Sequence, residues 1–371
     1  MCGVKEGHQC PPEADASQIN VTELWSDAAQ SSSPHIQVME LHSGSELCFP
    51  QLLNSSCTKP VVSWSELVFL RCLLSSVSVL TVTLNLLVIV SVSHFRQLHT
   101  PTNLLLLSLA VSDFLVGFVF LPGEVLRKST CWLLGDLMCS LFKFTATVCV
   151  AASIGNMVLI SADRFAAICD PLHYHSRVTV GKVRLCIFLC WFCLTLYNIL
   201  FIKDDLLQTQ KSNCRGQCVF KVEFTPVIVD LIVGFILPVS AIMVLYMRVF
   251  VVAVSQARSM RSHVTAVTLH RSVTVLAKKS ELKAARTLGV LVVVFLFCFC
   301  PYYCVTLTGE NLLHSSYGVF VLSVFCLNSC VNPVIYALFY PWFRRAVKLI
   351  VTLQILQPGS REANVLWRGR G

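Results

Sequence analysis

Seven long apolar segments restrict the fold of this chain more than any other feature of its sequence. Each is long enough to cross a hydrocarbon core, which takes roughly 20 helical residues. The segments are continuously apolar and lack the alternation of outer-membrane barrel strands, so we predict helices. The expected fold is all-α, a bundle of seven transmembrane helices, with spans at about residues 67–93, 102–123, 137–169, 184–202, 224–254, 284–307 and 315–340.

Composition and charge agree with a membrane protein. The 371 residues are 55% hydrophobic and 13% charged, and the mean hydropathy is +0.69, which excludes an ordinary soluble globule. Nineteen of the 29 Lys and Arg residues lie on the inner side if the N-terminus is outside, and basic residues collect on the cytoplasmic side of inserted helices. We therefore place the N-terminus outside. The net charge of +9 reflects this asymmetry and predicts contact with anionic membrane lipid, with no nucleic-acid partner.

The two ends of the chain lie outside the bundle. The N-terminal region is polar and has no apolar core typical of a signal peptide. Sequons at Asn20 and Asn54 predict glycosylation, although such tripeptides also occur by chance. Residues 1–38 are expected to be dispensable or an upstream extension of the gene model. The predicted regions are an extracellular tail at 1–66, the bundle at 67–340, a short amphipathic membrane-surface helix at 341–352 and a cytoplasmic tail at 353–371.

The 19 cysteines divide into two groups. Eleven lie in the apolar segments or at their inner ends, where a free Cys behaves as a small apolar residue. Cys190 and Cys193 have redox-motif spacing, but their apolar helical setting favours packing. A bridge from Cys139 to the loop containing Cys214 and Cys218 would pin a lid over the bundle mouth, although spacing alone does not set connectivity. The eight cysteines on the predicted outer side, where disulfides persist, are Cys2, Cys10, Cys48, Cys57, Cys131, Cys139, Cys214 and Cys218.

Polar residues also lie deep in the apolar segments, where they are rare and usually mark a pathway or a switching network. Hydrogen bonding between helices is an alternative role for single members, but it explains the whole set poorly because the set includes an acid. At the inner ends of the third and sixth segments, Arg164 and Glu281 can close an ion pair, which predicts a switch. The deep polar residues are Asn85, Asp113, Ser153, Asn328, Ser329 and Asn332.

Asp230 lies in the middle of the apolar run from residue 227 to residue 238. An ionised side chain at mid-bilayer depth costs roughly 2.5 to 3.5 kcal/mol on insertion scales unless it faces a partner or a wet cavity. Such an acid is a functional-site hypothesis by default. The alternative is a structural ion pair with a base such as Lys143.

Eight motifs resemble one known family in their order and spacing. They are Leu-Asn85-Leu-Leu-Val, Leu-Ala-Val-Ser-Asp113, Cys139, Asp163-Arg164-Phe165, Trp191, Pro238, Cys298-Phe299-Cys300-Pro301 and Asn332-Pro333-Val-Ile-Tyr336. Over the span from Cys48 to Leu349 the chain resembles the rhodopsin-like G-protein-coupled receptors. The segment from Asn328 to Phe343 resembles one branch, the trace amine-associated receptors, and so do Glu46-Leu-Cys-Phe-Pro, Asn-Ser-Ser-Cys57 and Lys283-Ala-Ala-Arg-Thr-Leu-Gly289.

The resemblance implies an olfactory-type amine receptor, a multi-pass plasma-membrane protein without enzymatic activity. Its implied partners are a small-molecule amine, membrane lipid and a stimulatory G protein that raises cyclic AMP. It implies the disulfides Cys139–Cys218 and Cys57–Cys214. It implies a switch formed by Asp163, Arg164, Glu281, Asn332, Pro333 and Tyr336. It implies no cofactor apart from an allosteric sodium ion, held by Asp113, Ser153, Asn328 and Asn332.

Three positions depart from the family pattern. Phe165 replaces a Tyr, and Phe299 replaces the Trp most often found at the toggle position. Amine receptors also carry an Asp on helix three, seven residues after the bridging Cys, where this chain has Ala146. A branch of the family lacks that acid and carries one at the helix-five position of Asp230, which is taken to hold amines in an inverted pose.

The resemblance therefore implies that Asp230 anchors the ligand ammonium. Tyr302 and Tyr303 are the candidates for contact with the cation through their ring faces, and packing between helices is the alternative role for at least one of them. The other implied pocket residues are Lys143, Thr147, Val150, Gly234, Phe299, Thr306, Leu322 and Cys326.

Other classes of protein fit the sequence less well. A transporter is expected to show an internal repeat and broken helix pairs, and no repeat is visible. The motifs His-Glu-x-x-His, Gly-x-Ser-x-Gly and Walker A, which would indicate an enzyme, do not occur. The stronger alternative is a receptor of the same family for a non-amine ligand, with Asp230 structural.

Overall fold

Seven long helices make up most of the chain that the structure describes. The structure is a computed structural model and describes residues 46–52, 56–58, 63–208, 215–218, 224–263, 272–308 and 316–366. The predicted bundle is confirmed, because seven of the described helices are long and apolar enough to cross a membrane. They are α1 (Trp64–His94), α2 (Pro101–Ser129), α3 (Gly135–Cys169), α4 (Val180–Gln208), α5 (Phe224–Asp230, Leu231–Ile236 and Leu237–His263), α6 (Ser272–Thr308) and α7 (Ser316–Phe339).

Local sequence sets the starts of the first two helices. α1 begins after Ser63, whose hydroxyl accepts a hydrogen bond from the backbone N–H of Glu66 at 3.3 Å. This side-chain cap satisfies a donor that has no partner inside the helix. α2 begins with Pro101 after the capping residue Thr100, and the missing N–H of proline costs little at a first helical position.

Two of the helices contain a π-helical segment. Val116–Phe120 lies within α2, and Leu231–Ile236 lies within α5 directly after Asp230. A π-helical turn holds more residues than an α-helical turn, so it changes the direction in which the following side chains point. Such segments are frequent at functional sites, and both lie in the half of the bundle that the disulfides cover.

α3 lies at the centre of the bundle. It packs against α2, α4, α5 and α6, while α7 packs against α1 and α6. Buried apolar side chains from these helices, including Met157 and Phe295, form one hydrophobic core. The outer faces of α4 and α5 carry exposed apolar side chains such as Phe188 and Val244. These faces suit contact with lipid, whose tails are as apolar as leucine.

A short helix, α8 (Pro341–Val351), follows α7 where the sequence predicts a helix at 341–352. Its aromatic residues Trp342 and Phe343 are buried, and α8 packs on α1 and α7. The helix is therefore held against the bundle by one face, as expected for an amphipathic segment.

Some predictions fall outside the described residues. They concern residues 1–38 and the glycosylation sites Asn20 and Asn54. The division of the chain into extracellular, membrane and cytoplasmic regions stays a prediction.

Candidate functional site

Asp230 ends the first helical part of α5, directly before the π-helical segment. Its side chain is exposed and therefore accessible to a partner. The hydroxyl of Tyr303 on α6 donates to Asp230 Oδ2 at 3.4 Å. A Cβ atom at Gly234, one turn further along α5, would lie 2.7 Å from Asp230 Oδ1, so the glycine makes room for the carboxylate. The structure thus brings together three of the predicted site residues.

Aromatic rings form a wall beside this carboxylate. Tyr303 stacks on Phe235 with ring centroids 4.4 Å apart, and Tyr302 meets Tyr303 edge-on at 5.5 Å. Tyr302 and Phe299 both pack on Phe325, with centroid distances of 4.6 Å and 4.7 Å. An aromatic face attracts a cation by roughly 0.5 to 2 kcal/mol. The predicted toggle residue Phe299 is therefore connected to the acid through a chain of ring contacts.

The predicted α3 residues have different environments. Lys143 and Ala146 are buried, Val150 is half-buried and Thr147 is exposed. The Thr147 hydroxyl donates to the carbonyl of Lys143 at 3.1 Å, so it is satisfied within its own helix. At position 146, where the resemblance implies an acid in amine receptors, α3 presents only a buried methyl group.

The predicted residues of α6 and α7 complete the set. The hydroxyl of Thr306 donates to the carbonyl of Tyr303 at 2.9 Å, within α6. On α7, Cys326 is buried and Leu322 is half-buried against the hydrophobic core. These side chains add an apolar boundary and no further charge.

One buried acid, Glu124, was missed by the sequence analysis. Glu124 on α2 is 1% exposed, and Arg127 holds it through two hydrogen bonds, from Nε to Oε1 at 2.9 Å and from Nη2 to Oε2 at 2.7 Å. Arg127 also donates to the carbonyl of Cys218 at 3.4 Å. The sequence signal available for Glu124 is an Arg three residues further along, a spacing that allows an ion pair within a helix.

Two disulfides whose cysteines both lie in the described part of the chain close the end of the bundle where α3 begins. The structure joins Cys139 to Cys218, the pairing that the resemblance implied. It also joins Cys48 to Cys131, a bridge that the sequence analysis did not predict. Cys57 is disulfide-bonded, while its predicted partner Cys214 lies outside the described residues, so that pairing stays a prediction.

Backbone hydrogen bonds join the same parts of the chain. The N–H of Cys57 donates to the carbonyl of Arg215 at 2.8 Å, and the N–H of Trp132 donates to the carbonyl of Gly216 at 2.9 Å. The N–H of Cys48 donates to the carbonyl of Cys57 at 2.8 Å. We call these parts, residues 46–52, 56–58, 131–132 and 215–218, the outer cap.

Gly216 is the position where the outer cap tolerates a side chain least. Its φ is +106°, and a Cβ atom there would lie 2.5 Å from the Cβ of Cys48. We expect Gly216→Ala to destabilise the cap by roughly 1 to 3 kcal/mol because the overpacked neighbours must move. Surface expression, measured with an antibody to an N-terminal tag, should fall. The matched control is Gly181→Ala, where nothing lies within 4 Å of the added atom, and equal expression of the two variants would contradict the prediction.

Asp113 is the centre of a buried polar network. The hydroxyl of Ser153 donates to Asp113 Oδ1 at 2.8 Å, and the amide of Asn332 donates to Oδ2 at 2.9 Å. The amide of Asn85 donates to the carbonyl of Ser329 at 2.9 Å, which links α1 to α7. The network therefore connects four helices around one carboxylate.

Several oxygen atoms of this region still have bonding capacity. Within the described residues, Asn328 Oδ1, Asn332 Oδ1 and the hydroxyl of Tyr336 are buried without a hydrogen-bond partner. A buried polar atom left unpaired is costly, and hard cations bind oxygen ligands. A carboxylate, a hydroxyl and two amide carbonyls therefore fit a sodium ion. Pro333 lies inside the continuous helix α7, directly after Asn332.

At the other end of α3, Arg164 is held by its neighbour Asp163. Arg164 Nε donates to Asp163 Oδ2 at 3.1 Å, and the hydroxyls of Thr102 and Tyr174 donate to the same carboxylate at 2.9 Å and 2.7 Å. Burial raises the pKa of Tyr174, which keeps this hydroxyl a donor. The side chain of Glu281 lies outside the described residues, so its pairing with Arg164 stays a prediction.

Comparisons with known proteins agree on one family. The profile of the family described as 7 transmembrane receptor (rhodopsin family) matches residues 84–336. The chain is similar to trace amine-associated receptor 13c of Danio rerio, with 34% identity over 335 residues, 86% of this chain and 96% of that protein. It is also similar to trace amine-associated receptor 1 of Mus musculus, with 34% identity over 305 residues, 79% and 91%. Trace amine-associated receptor 6 of Homo sapiens is 34% identical over 336 residues, 86% and 95%.

Proposed function

Because this chain belongs to the rhodopsin family of seven-transmembrane receptors, and within it to the trace amine-associated receptors, we propose that Asp230 holds the ammonium of its ligand. As a member of this family, the chain is a multi-pass plasma-membrane receptor for amines that couples to a G protein. It is not an enzyme. The finer assignment, to the branch that lacks the helix-three acid, rests on Ala146 and Asp230 together.

The observation that carries the proposal is the exposed carboxylate of Asp230 beside an aromatic wall. An ammonium bound to a carboxylate makes a charge-assisted hydrogen bond, roughly twice as strong as a neutral one. Tyr303 already donates to Asp230 Oδ2, so its hydroxyl orients the acid. With a methyl group at Ala146, the amine end of the ligand lies toward α5 and its apolar part lies toward α3.

Signalling through a stimulatory G protein is the second part of the proposal. In the structure the side chain of Arg164 is hydrogen-bonded to Asp163 at the end of α3. An activated state has to release this arginine, because an arginine paired with an acid is not available to a G protein. Ring contacts from Tyr303 to Phe299 provide a physical connection from the ligand anchor to the interior of α6.

A panel of monoamines, diamines and polyamines tests the proposed function. Cells expressing the full chain should accumulate cyclic AMP in a dose-dependent way with at least one amine. A receptor that reaches the cell surface but responds to no amine would overturn the ligand assignment. Amine responses through calcium alone would overturn the stimulatory coupling and leave the ligand assignment intact.

An allosteric sodium ion is the third part of the proposal. The ion would stabilise the arrangement in which Asp113, Ser153 and Asn332 converge, so an agonist that prefers another arrangement loses affinity by linkage. Replacing sodium in the medium by a large organic cation should therefore raise agonist potency, by roughly 5-fold or more for a coupling of 1 to 3 kcal/mol. Asp113→Asn should abolish this effect. A sodium effect of equal size in the variant would contradict the site.

A further inference from the structure

After α8 the chain reverses direction twice and returns to the bundle. Leu353, two residues after the end of α8, has a φ of +58°, and Gly359 has a φ of +81° between two 3-10 turns, Gln354–Leu356 and Ser360–Glu362. We call residues 352–366 the tail loop. The expected cytoplasmic tail therefore begins with a folded segment in the described part of the chain.

Specific contacts hold the tail loop against α1 and α8. The hydroxyl of Ser360 lies 3.0 Å from Nε2 of His94 at the end of α1, and it donates to the carbonyl of Ile355 at 2.6 Å. Val365 is 1% exposed and belongs to the hydrophobic core. Its carbonyl accepts a hydrogen bond from Arg345 of α8 at 3.4 Å. The loop is thus fixed at both its middle and its end.

Three large apolar side chains at the end of α8 and in the first half of the tail loop remain exposed. Val351 is 69%, Leu353 65% and Leu356 78% exposed, and they follow one another over two turns of chain. A single exposed leucine is ordinary. Three exposed apolar side chains close together are unusual on a segment that packs Val365 into the hydrophobic core, because the same packing could bury them.

Basic residues flank this apolar group in the sequence. Arg344, Lys348 and Arg361 are exposed. Apolar side chains with flanking basic residues are typical of segments that lie in a membrane interface. The inner leaflet carries anionic lipid that attracts such residues.

We propose that the tail loop, together with the last residue of α8, is a second membrane anchor. Val351, Leu353 and Leu356 insert into the inner leaflet, and the neighbouring basic residues bind anionic lipid headgroups. α8 begins two residues after α7 ends, so the segment leaves the bundle directly from the end of a membrane-spanning helix. Residues 331–371 contain no cysteine, so no S-acyl chain can attach to this segment. The apolar side chains of the loop supply the insertion themselves.

Charge favours the bilayer over a second copy of the chain as the occupant. Two copies that met through this surface would bring Arg344, Lys348 and Arg361 of each close to those of the other, and like charges repel. Anionic headgroups neutralise the same residues. The proposal does not depend on the identity of the ligand.

Hydrogen exchange of the full chain in lipid nanodiscs tests this anchor. With one copy per disc of phosphatidylcholine and phosphatidylserine, we expect amides of residues 352–363 to exchange about tenfold faster in the double variant Leu353→Ser with Leu356→Ser, since insertion suppresses local opening. Leu366→Ser is the matched control, because this leucine is 54% exposed but lies beyond the pinned Val365. The control should exchange at the wild-type rate.

The lipid composition separates the possible occupants. Omitting phosphatidylserine should also speed exchange of residues 352–363 in the wild type. Equal rates for the wild type and the double variant in both lipids would overturn the proposal. Protection that appears only in discs with two copies would assign the surface to a second copy and overturn it as well.

Discussion

Asp230→Asn should abolish the response to amines while the receptor stays at the cell surface. The substitution keeps the volume and polarity of the side chain but removes the charge that binds the ammonium. Removing one partner of a buried ion pair costs about 3 to 5 kcal/mol, or roughly two to three and a half decades of affinity. Because Asp230 is exposed in the ligand-free structure, we expect the lower end of this range. Dose-response curves of cyclic AMP against the best amine agonist measure the effect.

A matched control shows whether the loss is specific to this acid. Asp136 is an exposed acid in the first turn of α3, and Asp136→Asn should leave potency unchanged. Surface expression of each variant must be measured in parallel, since a misfolded receptor also gives no response. Unchanged potency of Asp230→Asn would mean that the acid is structural and would favour the non-amine alternative.

The bundle was predictable because the bilayer imposes it. A span needs a minimum number of apolar residues, so the seven segments stand out without any knowledge of packing. The ends of the helices were harder to predict. The second predicted span ended at residue 123, where the polar run from Glu124 to Thr130 begins, but α2 continues to Ser129. Arg127 neutralises the acid one turn away, and this permits the longer helix.

That error at the end of α2 also explains why Glu124 was missed. An acid just outside a predicted span is expected to be solvated. The cost of burying a charge, which marks Asp230 as a candidate site residue, therefore did not mark Glu124. Gly234, in contrast, was predictable, because a missing side chain one turn from an acid leaves room for the carboxylate. The structure shows why the room is needed, because a Cβ atom at Gly234 would lie 2.7 Å from Asp230 Oδ1.

The outer cap shows a different limit of sequence reasoning. Cys48 and Cys131 are separated by 83 residues, and no local pattern relates them. Eight outer cysteines permit many pairings. The choice depends on how the tail, the connection between α2 and α3 and the loop before α5 pack together. Gly216 contributes to that choice, since its lack of a side chain admits Cys48.

Neutralising either member of the Glu124–Arg127 pair should destabilise the receptor strongly, whereas neutralising both should not. Glu124→Met leaves the guanidinium of Arg127 without its acid, and Arg127→Met leaves a carboxylate that is 1% exposed without its base. Breaking a buried ion pair by removing one partner costs about 3 to 5 kcal/mol, while replacing both partners by apolar residues of similar size is often neutral. Thermal unfolding of the purified receptor in detergent measures each variant.

The double variant, Glu124→Met with Arg127→Met, completes a mutant cycle that isolates the interaction between the two side chains. We expect it to unfold much closer to the wild type than either single variant, so that the coupling between the sites, the sum of the two single losses minus the double loss, approaches about 6 kcal/mol. Arg127 also donates to the carbonyl of Cys218, so part of its single-variant loss belongs to the outer cap and should persist in the double variant. Effects of the two substitutions that simply add would contradict the pairing. They would mean that each side chain is stabilised by other neighbours and that the bidentate contact contributes little.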